Sequence, residues 1–349
     1  MVKKLLKGNY AIAEGAISAG CRFFYGYPIT PQTEIMEWMS VKMNEVGGTF
    51  LQAESEVGAA NMVIGTAAAG QRVMTASSGP GIDLMQEAFG NIHAHQLPCV
   101  VADITRGGPG DGALHVAQGD YNQIIKGGRA DTHNIVLAPW NVQEMYDLTV
   151  KAFELAEHYR NLVFILSDSL LGQVYENVEI DTEMQPTAVN REWAITGAKG
   201  ERKISIAHFP EVSVYNAYHA GLQDKYKRII ENEQRSSCHC VDDETEVVVV
   251  AYGMVARNAY SAITRLREQG VPVGLFRPIT LWPFPVDEFQ RVTKGRKILV
   301  VEMSSGQMAD DIKLLTGRFD LTLKPGVAMG EIPRPGEIEQ WIREVLRNE

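Results

Sequence analysis

Two carboxylates, Glu54 and Glu56, stand where a short apolar run stops and a helix dense in small residues begins. Gly48-Thr49-Phe50-Leu51 reads as the end of a buried strand, Ser55 as an N-cap, and Val57 through Gly70 as a helix that lets another backbone or a ligand approach closely. Spaced by two, the acids point to nearly opposite sides of a helical turn, so at most one of them faces any given site. A first-turn position favoured by the helix dipole accounts for both acids without a ligand.

Three further loops follow apolar strands. Tyr27-Pro28-Ile29-Thr30-Pro31 follows the first strand, at the carboxyl end where open α/β sheets place ligands. Thr30 as N-cap and Pro31 at the first helical position are explained by capping alone; equally, a helix N-terminus there suits an anion held by the Thr30 hydroxyl and nearby amides. Ser77-Ser78-Gly79-Pro80-Gly81 follows a second strand and opens a helix, so its backbone is placed to contact a ligand. Arg106 ends a third strand beside Gly107-Gly108-Pro109-Gly110, a loop too rich in glycine to shield it. Such an arginine suits bidentate binding of a carboxylate or phosphate, or is simply a surface side chain. His115, further along, is either a polar contact of the site or, more simply, a solvated loop residue.

The elements that must position these groups alternate from residue 9 onward. Helices are predicted for Ala11 to Gly20 with Asn9 as cap, Thr30 to Met43, Pro80 to His95 and Val142 to His158. Apolar strands are predicted for Cys21 to Tyr25, Val73 to Ala76, Cys99 to Ile104, Ile135 to Ala138 and Leu162 to Leu166. Apolar strands alternating with amphipathic helices imply an α/β fold whose parallel sheet is covered on both faces. The periodicity weakens after residue 170. A second α/β unit then starts with the strand Val247 to Ala251, the helix Val255 to Gln269 and the strand Val271 to Phe276, and it continues through Lys297 to Val301, Gln307 to Thr316 and Gly336 to Arg347. The expected division is 1–175, an extended connection 176–244, and 245–349.

Composition excludes several classes. With 349 residues, 45% hydrophobic and 22% charged, the chain is long enough for two cores. A net charge of -10 and a pI near 5.4 argue against nucleic-acid or membrane-surface binding, which needs a basic face. No apolar run reaches the ~18 residues of a membrane span, which points to a cytoplasmic protein. Cys21, Cys99, Cys238 and Cys240 form neither a disulfide framework nor an iron–sulfur run, so any electron carrier belongs to another chain. Cys238-His239-Cys240 has no second ligand pair at metal spacing, and no metal is assigned to this chain.

Taken together, Gly26-Tyr-Pro-Ile-Thr-Pro31, Glu54-Ser-Glu-Val-Gly-Ala-Ala60, Ser77-Ser-Gly-Pro-Gly81, Arg106-Gly-Gly-Pro109 and Gln118-Gly-Asp120 resemble the α-type subunit of the 2-oxoacid:ferredoxin oxidoreductases, thiamine diphosphate enzymes. The resemblance runs nearly end to end and implies a pyrimidine-binding α/β domain at 1–175. For 245–349, Tyr252-Gly253 and Arg277-Pro-Ile-Thr-Leu-Trp-Pro283 look like the carboxy-terminal domain of transketolase-type enzymes. It implies Glu56 as the acid beside N1′ of the aminopyrimidine, where a carboxylate stabilises the protonated imino tautomer that removes the thiazolium C2 proton. It implies Thr30 and Arg106 as the 2-oxoacid carboxylate site, and Tyr27, Pro28, Ile29, Ser78 and Gly79 as cofactor contacts.

In this family the Mg2+ and diphosphate motif lies on a separate β-type subunit and the iron–sulfur clusters on other partner subunits; ferredoxin-like and γ-type subunits are implied as further partners. Coenzyme A, a 2-oxoacid and ferredoxin are the implied reactants. Gln52-Ala-Glu-Ser-Glu-Val, Gly119-Asp120-Tyr121 and Leu171-Gly172-Gln173 look most like the branched-chain, 2-oxoisovalerate (3-methyl-2-oxobutanoate) type, with a 2-oxoglutarate-specific member as the alternative. Gly110-Asp111-Gly112 with Asn141 imitates a metal motif of thiamine enzymes, but it lies inside a Gly/Pro loop well past its strand and is rejected. Two rivals stand beside this reading. A self-sufficient transketolase-type enzyme would need a third α/β domain, and a non-catalytic regulatory subunit would not need Glu56, Thr30 and Arg106 together.

Overall fold

The structure is a computed structural model that describes residues 1–128, 130–186, 190–198, 200, 202–203, 205, 208–325 and 331–347. In chain order the first elements are β1 (Val2–Lys7), α1 (Gly8–Ser18), β2 (Phe23–Gly26), α2 (Thr33–Glu45), β3 (Thr49–Gln52), α3 (Glu56–Ala68), β4 (Val73–Ser77) and α4 (Gly79–Ala94). They continue with β5 (Cys99–Thr105), α5 (Tyr121–Ile125), β6 (Ile135–Leu137), α6 (Val142–Tyr159), β7 (Leu162–Asp168), α7 (Ser169–Gln173), β8 (Tyr175–Ile180) and α8 (Val212–Asn232). The rest is β9 (Ser236–His239), β10 (Val247–Val250), α9 (Gly253–Glu268), β11 (Val273–Pro278), β12 (Thr280–Trp282), α10 (Val286–Thr293), β13 (Lys297–Glu302), α11 (Gln307–Thr316), β14 (Leu321–Pro325) and α12 (Pro335–Arg347).

A seven-stranded sheet runs β12-β6-β7-β5-β4-β2-β3, parallel except at the β12 edge. β5 and β7 are buried along their whole length, which is why they read as continuous apolar runs and not as alternating ones. Residues of α1, α2 and α6 such as Ile12, Met39 and Met145 fill the core on one face, and residues of α3 and α4 such as Val63 and Phe89 fill the other. The second sheet, β14-β13-β10-β11-β9, is parallel except for β9.

Several expectations change. Asn9 does not cap α1, which starts at Gly8; its amide instead donates to Pro31 O at 2.8 Å and Glu34 at 3.0 Å. Within the segment expected to be an extended connection, α8 packs Leu222, Tyr226 and Ile229 against the first core. Their spacing of four and three is a helical signal that the surrounding polar residues obscure. β1 pairs antiparallel with β8, and neither strand is evident from periodicity. β12 lies in sequence between β11 and β13 of the second sheet yet joins the first sheet, Thr280 opposite Leu137 and Trp282 opposite Val136.

The two sheets are locked together by buried polar contacts. Gln118 donates to Tyr252 O at 3.1 Å and accepts from Met303 N at 2.9 Å, bridging the ends of β10 and β13. Asp168, at the end of β7, accepts from Met254 N at 2.9 Å. Arg277 grips Glu144 with both terminal nitrogens, at 2.6 and 2.9 Å, and lies 4.4 Å over the Trp140 ring. Gln118→Ala strands one buried amide and one buried carbonyl, so it is expected to cost about 2–4 kcal/mol. A urea midpoint matching the wild type would show that Gln118 is not a latch.

Candidate active site

Chain order reverses in the first sheet between β2 and β4, and the carboxyl ends of β2, β4 and β5 open on the crevice that this reversal creates. Glu56 reaches it from the first turn of α3. Ser55 caps that helix as its sequence position predicted, with extended backbone and its hydroxyl accepting from Gly58 N at 3.2 Å. Glu56 is buried, and among the described residues no donor reaches its carboxylate. Glu54 is exposed and folds over the first turn of α3, its Oε1 2.5 Å from where a Gly58 Cβ would stand. The two acids therefore separate, one into the molecule and one onto its surface.

The turn after β2 is held from a distance. Gln32 donates to Tyr27 O at 3.0 Å, Asn9 to Pro31 O, and Arg106 Nη1 to Thr30 O at 2.9 Å. These tertiary contacts overturn the capping expectation: α2 begins at Thr33 with Gln32 as its N-cap, Thr30 lies outside the helix, and the Thr30–Pro31 peptide is cis. Tyr27 and Thr30 are exposed, and Pro28 and Ile29 half-buried. Arg106 also departs from expectation. It is buried rather than unshielded, because the Thr30 turn covers it, and Asp111 meets its Nη2 at 3.5 Å. Its Nε is buried without a partner.

Ser78 and Gly79 open α4. Ser78 is the N-cap residue by backbone, yet its hydroxyl makes no cap bond and is buried without a partner. The helix N-terminus comes close to Glu56 at Gly81, where a Cβ would stand 2.7 Å from Glu56 Oε1 and closer still to Ser77 Oγ. Gly81→Ala must push one of them aside, with an expected loss of about 1–3 kcal/mol and displacement of the Glu56 carboxylate. A Gly81→Ala chain as stable as wild type would remove this constraint.

Beside Arg106 a cavity of about 580 Å³ is lined by Gly79, Asp83, Asp120, Gln123, Ser304 and Gln307 among others, from both sheets. Two buried acids were missed in the sequence. Asp103 sits inside β5, hidden in a run read as apolar, and Asp168 ends β7. Burial pushes the Asp168 carboxyl up, offset by the amides of Leu171 and Met254 that face it. Asp111 of the rejected metal motif is exposed, and Asn141 is the N-cap of α6, accepting from Glu144 N at 2.7 Å. Among the described residues no group of three or more His, Cys, Asp or Glu is arranged to hold a metal. His115 is exposed in the 107–115 loop.

The seven-stranded, largely parallel sheet followed by a smaller five-stranded unit is an architecture that recurs among known structures. A transketolase tetramer chain shares the fold, with TM-score 0.59 and 11% identity over 97% of this chain and 96% of that one. Residues 14–240 match the pyruvate flavodoxin/ferredoxin oxidoreductase thiamine diphosphate-binding model, and residues 245–325 match the pyruvate:ferredoxin oxidoreductase core domain II model. The chain belongs to the 2-oxoacid:ferredoxin oxidoreductases, as an α-type subunit.

It is 46% identical to the ketoisovalerate oxidoreductase subunit VorB of Methanothermobacter thermautotrophicus, over 99% of this chain and 98% of that one. It is 38% identical to the 2-oxoglutarate synthase subunit KorA of Methanocaldococcus jannaschii, over 98% and 100%. The 2-oxoglutarate:ferredoxin oxidoreductase of Magnetococcus marinus, solved with 2-oxoglutarate, coenzyme A and succinyl-CoA, superposes with TM-score 0.92 at 27% identity. That match takes in 99% of this chain and 65% of the Magnetococcus chain.

Proposed function

We propose that this chain forms the pyrimidine half of a thiamine diphosphate site and, with a β-type subunit, converts a branched-chain 2-oxoacid and coenzyme A to acyl-CoA, CO2 and reduced ferredoxin. The observation that carries the reading is Glu56: a buried carboxylate at the crevice of the sheet which, among the described residues, no protein donor satisfies. The unpartnered hydroxyl of Ser77, which meets Glu56 over Gly81, and that of Ser78 next in sequence fit a polar heterocycle better than a closed core. When bound, thiamine diphosphate supplies the carbon nucleophile for the 2-oxo group.

The chain's own residues then divide the work. Glu56 holds or releases a proton at the pyrimidine N1′. Arg106, fixed through Nη1 on Thr30 O, offers its unpartnered Nε and the Nη2 that exposed Asp111 meets at 3.5 Å as a fork to the substrate carboxylate, which takes the place of Asp111, and Thr30 completes the carboxylate site. Tyr27, Pro28, Ile29, Ser78 and Gly79 line the pyrimidine end, and Gly81 keeps the space over Glu56 free.

The described cavity beside Arg106 carries the carboxylates Asp83, Asp120 and Glu331 and no second cation among its lining residues. A dicarboxylate such as 2-oxoglutarate would meet repulsion there, so the pocket favours a monocarboxylate with an apolar side chain, 3-methyl-2-oxobutanoate. Mg2+ and the diphosphate belong to the β-type subunit and the iron–sulfur clusters to partner subunits, with ferredoxin-like and γ-type subunits completing the assembly. We divide the chain into a pyrimidine domain 1–175, a connection 176–244 and a transketolase-like domain 245–349. Since no described helix is long and apolar enough to cross a membrane, we place the assembly in the cytoplasm with its ferredoxin. The test is kcat/KM of the assembled enzyme across 3-methyl-2-oxobutanoate, 2-oxoglutarate, pyruvate and indolepyruvate. The first should lead, and a lead for 2-oxoglutarate would overturn the substrate assignment.

A further inference from the structure

Leu171-Gly172-Gln173 closes α7 against the point where the chain passes from β1 into α1. β1 pairs with β8 so that Lys7 stands opposite Tyr175, and Gly8 N donates to Val174 O at 3.0 Å. Lys7 and Gln173, 166 residues apart, are thereby brought together at the first turn of α2. There Glu34 Oε1 accepts from Gln173 Nε2 at 2.9 Å and from Lys7 Nζ at 3.2 Å, while Lys7 Nζ also donates to Gln173 Oε1 at 2.9 Å. The other oxygen, Glu34 Oε2, accepts from Asn9 Nδ2 at 3.0 Å, and the same nitrogen donates to Pro31 O at 2.8 Å. An unbroken line of hydrogen bonds runs from Lys7 and Gln173 through Glu34 and Asn9 to the turn that carries Thr30.

A first-turn acid is favoured by the helix dipole, but the dipole does not call for side-chain donors from β1, α1 and α7 to converge on it. Burial pushes the Glu34 carboxyl up; the bonds from Gln173, its own amide, Lys7 and Asn9 outweigh this and hold it below the ordinary glutamate range, so it stays ionised. Asn9 is fully buried. Both groups facing its Nδ2 are acceptors only, so its amide cannot turn its oxygen toward them. That oxygen is itself buried without a partner, and a Gly172 Cβ would stand 2.7 Å from it. What Asn9 contributes here is its two donated bonds.

At the far end the turn's carbonyls have two holders. Pro31 O is held by Asn9, and Thr30 O by Arg106 Nη1 at 2.9 Å. Without Asn9 the turn would hang on the same guanidinium that the substrate carboxylate needs. A cavity of about 860 Å³ is lined by Lys7, Glu34 and Gln173 with Thr30, Pro31 and His115 among others, so water can take over the bonds at Glu34 Oε1. Asn9 is shut off from it, and nothing replaces Oε2 there.

We propose that Glu34, acting through Asn9, is a positioning residue for the substrate-carboxylate site: it fixes the Thr30–Pro31 turn so that Thr30 and Arg106 meet the 2-oxoacid in one arrangement. The inference rests on the roles proposed above for Thr30 and Arg106.

The line itself is tested on the full chain without cofactor. The Gln32 amide, which donates to Ile29 O at 3.0 Å inside the turn, should exchange hydrogen about three- to tenfold faster in both Glu34→Ala and Asn9→Ala, as expected for the loss of one neutral hydrogen bond. An unchanged rate in Glu34→Ala would break the line. In the assembled enzyme, Glu34→Ala should raise KM for 3-methyl-2-oxobutanoate about three- to tenfold, with kcat within about twofold of wild type. Glu34→Gln, which keeps one oxygen for Asn9, should bring KM back toward the wild-type value. The double variant Asn9→Ala/Glu34→Ala should raise KM no further than Asn9→Ala alone, because the two act in series. An unchanged KM in Glu34→Ala, the same KM for the alanine and glutamine variants, or a double variant whose increase is the product of the two singles would overturn the proposal. If Asn9→Ala does not fold, the comparison of Glu34→Ala with Glu34→Gln decides. If the assembled wild type turns over no 2-oxoacid, the function proposed above fails, while hydrogen exchange at Gln32 remains the test of the line.

Discussion

Glu56→Gln in the assembled enzyme lowers kcat by roughly 10²–10⁴-fold and leaves the chain folded. The amide keeps the size of the side chain but cannot hold and release the proton that the carboxylate exchanges with N1′. Folding should be insensitive because Glu56 gives up no protein hydrogen bond: among the described residues none reaches it. Removing an uncompensated buried charge is neutral or stabilising where no partner is stranded. The variant should still bind thiamine diphosphate in a titration, which separates lost chemistry from lost cofactor. A kcat within about threefold of wild type, far short of that loss, would remove Glu56 from the mechanism.

Arg106→Lys is expected to lower kcat/KM for the 2-oxoacid by roughly 10–150-fold, the equivalent of one charge-assisted hydrogen bond of about 1.5–3 kcal/mol. The loss should fall mainly on KM, because the carboxylate is bound in the ground state as well as during reaction. Lysine keeps the charge but loses the planar fork. One ammonium cannot donate to Thr30 O at 2.9 Å and also engage a carboxylate through two parallel bonds. The substitution would also release the turn that holds Tyr27 through Pro31, so Asn9→Ala, which frees the same turn at Pro31 O without touching the fork, is the control. An Arg106→Lys variant with unchanged KM would place substrate recognition elsewhere.

Much of the site was legible because its cues are local. Ser55 as cap, the opposed directions of Glu54 and Glu56, and the strand-end positions of Ser78 and Arg106 all follow from residue type and short spacing. The choice of Glu56 over Glu54 rested on resemblance; the structure buries Glu56 and exposes Glu54, and the role of Glu56 is the proposal made above. What failed to show was non-local. The Thr30–Pro31 segment has the signature of a helix start, yet Asn9, 22 residues away from Pro31, and Arg106, 76 residues from Thr30, hold its carbonyls in a turn outside the helix. Asp103 was invisible because one acid in a seven-residue buried strand does not alter its apolar character. β12 joins the first sheet although strands of the second sheet flank it in sequence, a pairing no periodicity can announce. Arg277, in a stretch that carried part of the family resemblance, proves to be a structural clamp on Glu144.

The half-site character of the chain is open to one direct measurement: 2-oxoacid-dependent ferredoxin or dye reduction by this chain, by its β-type partner, and by the two mixed with thiamine diphosphate, Mg2+ and coenzyme A, together with the cluster-bearing subunits. Activity should appear only in the mixture and should disappear with Glu56→Gln. Turnover by this chain alone, or a mixture equally active with the glutamine variant, would contradict the account.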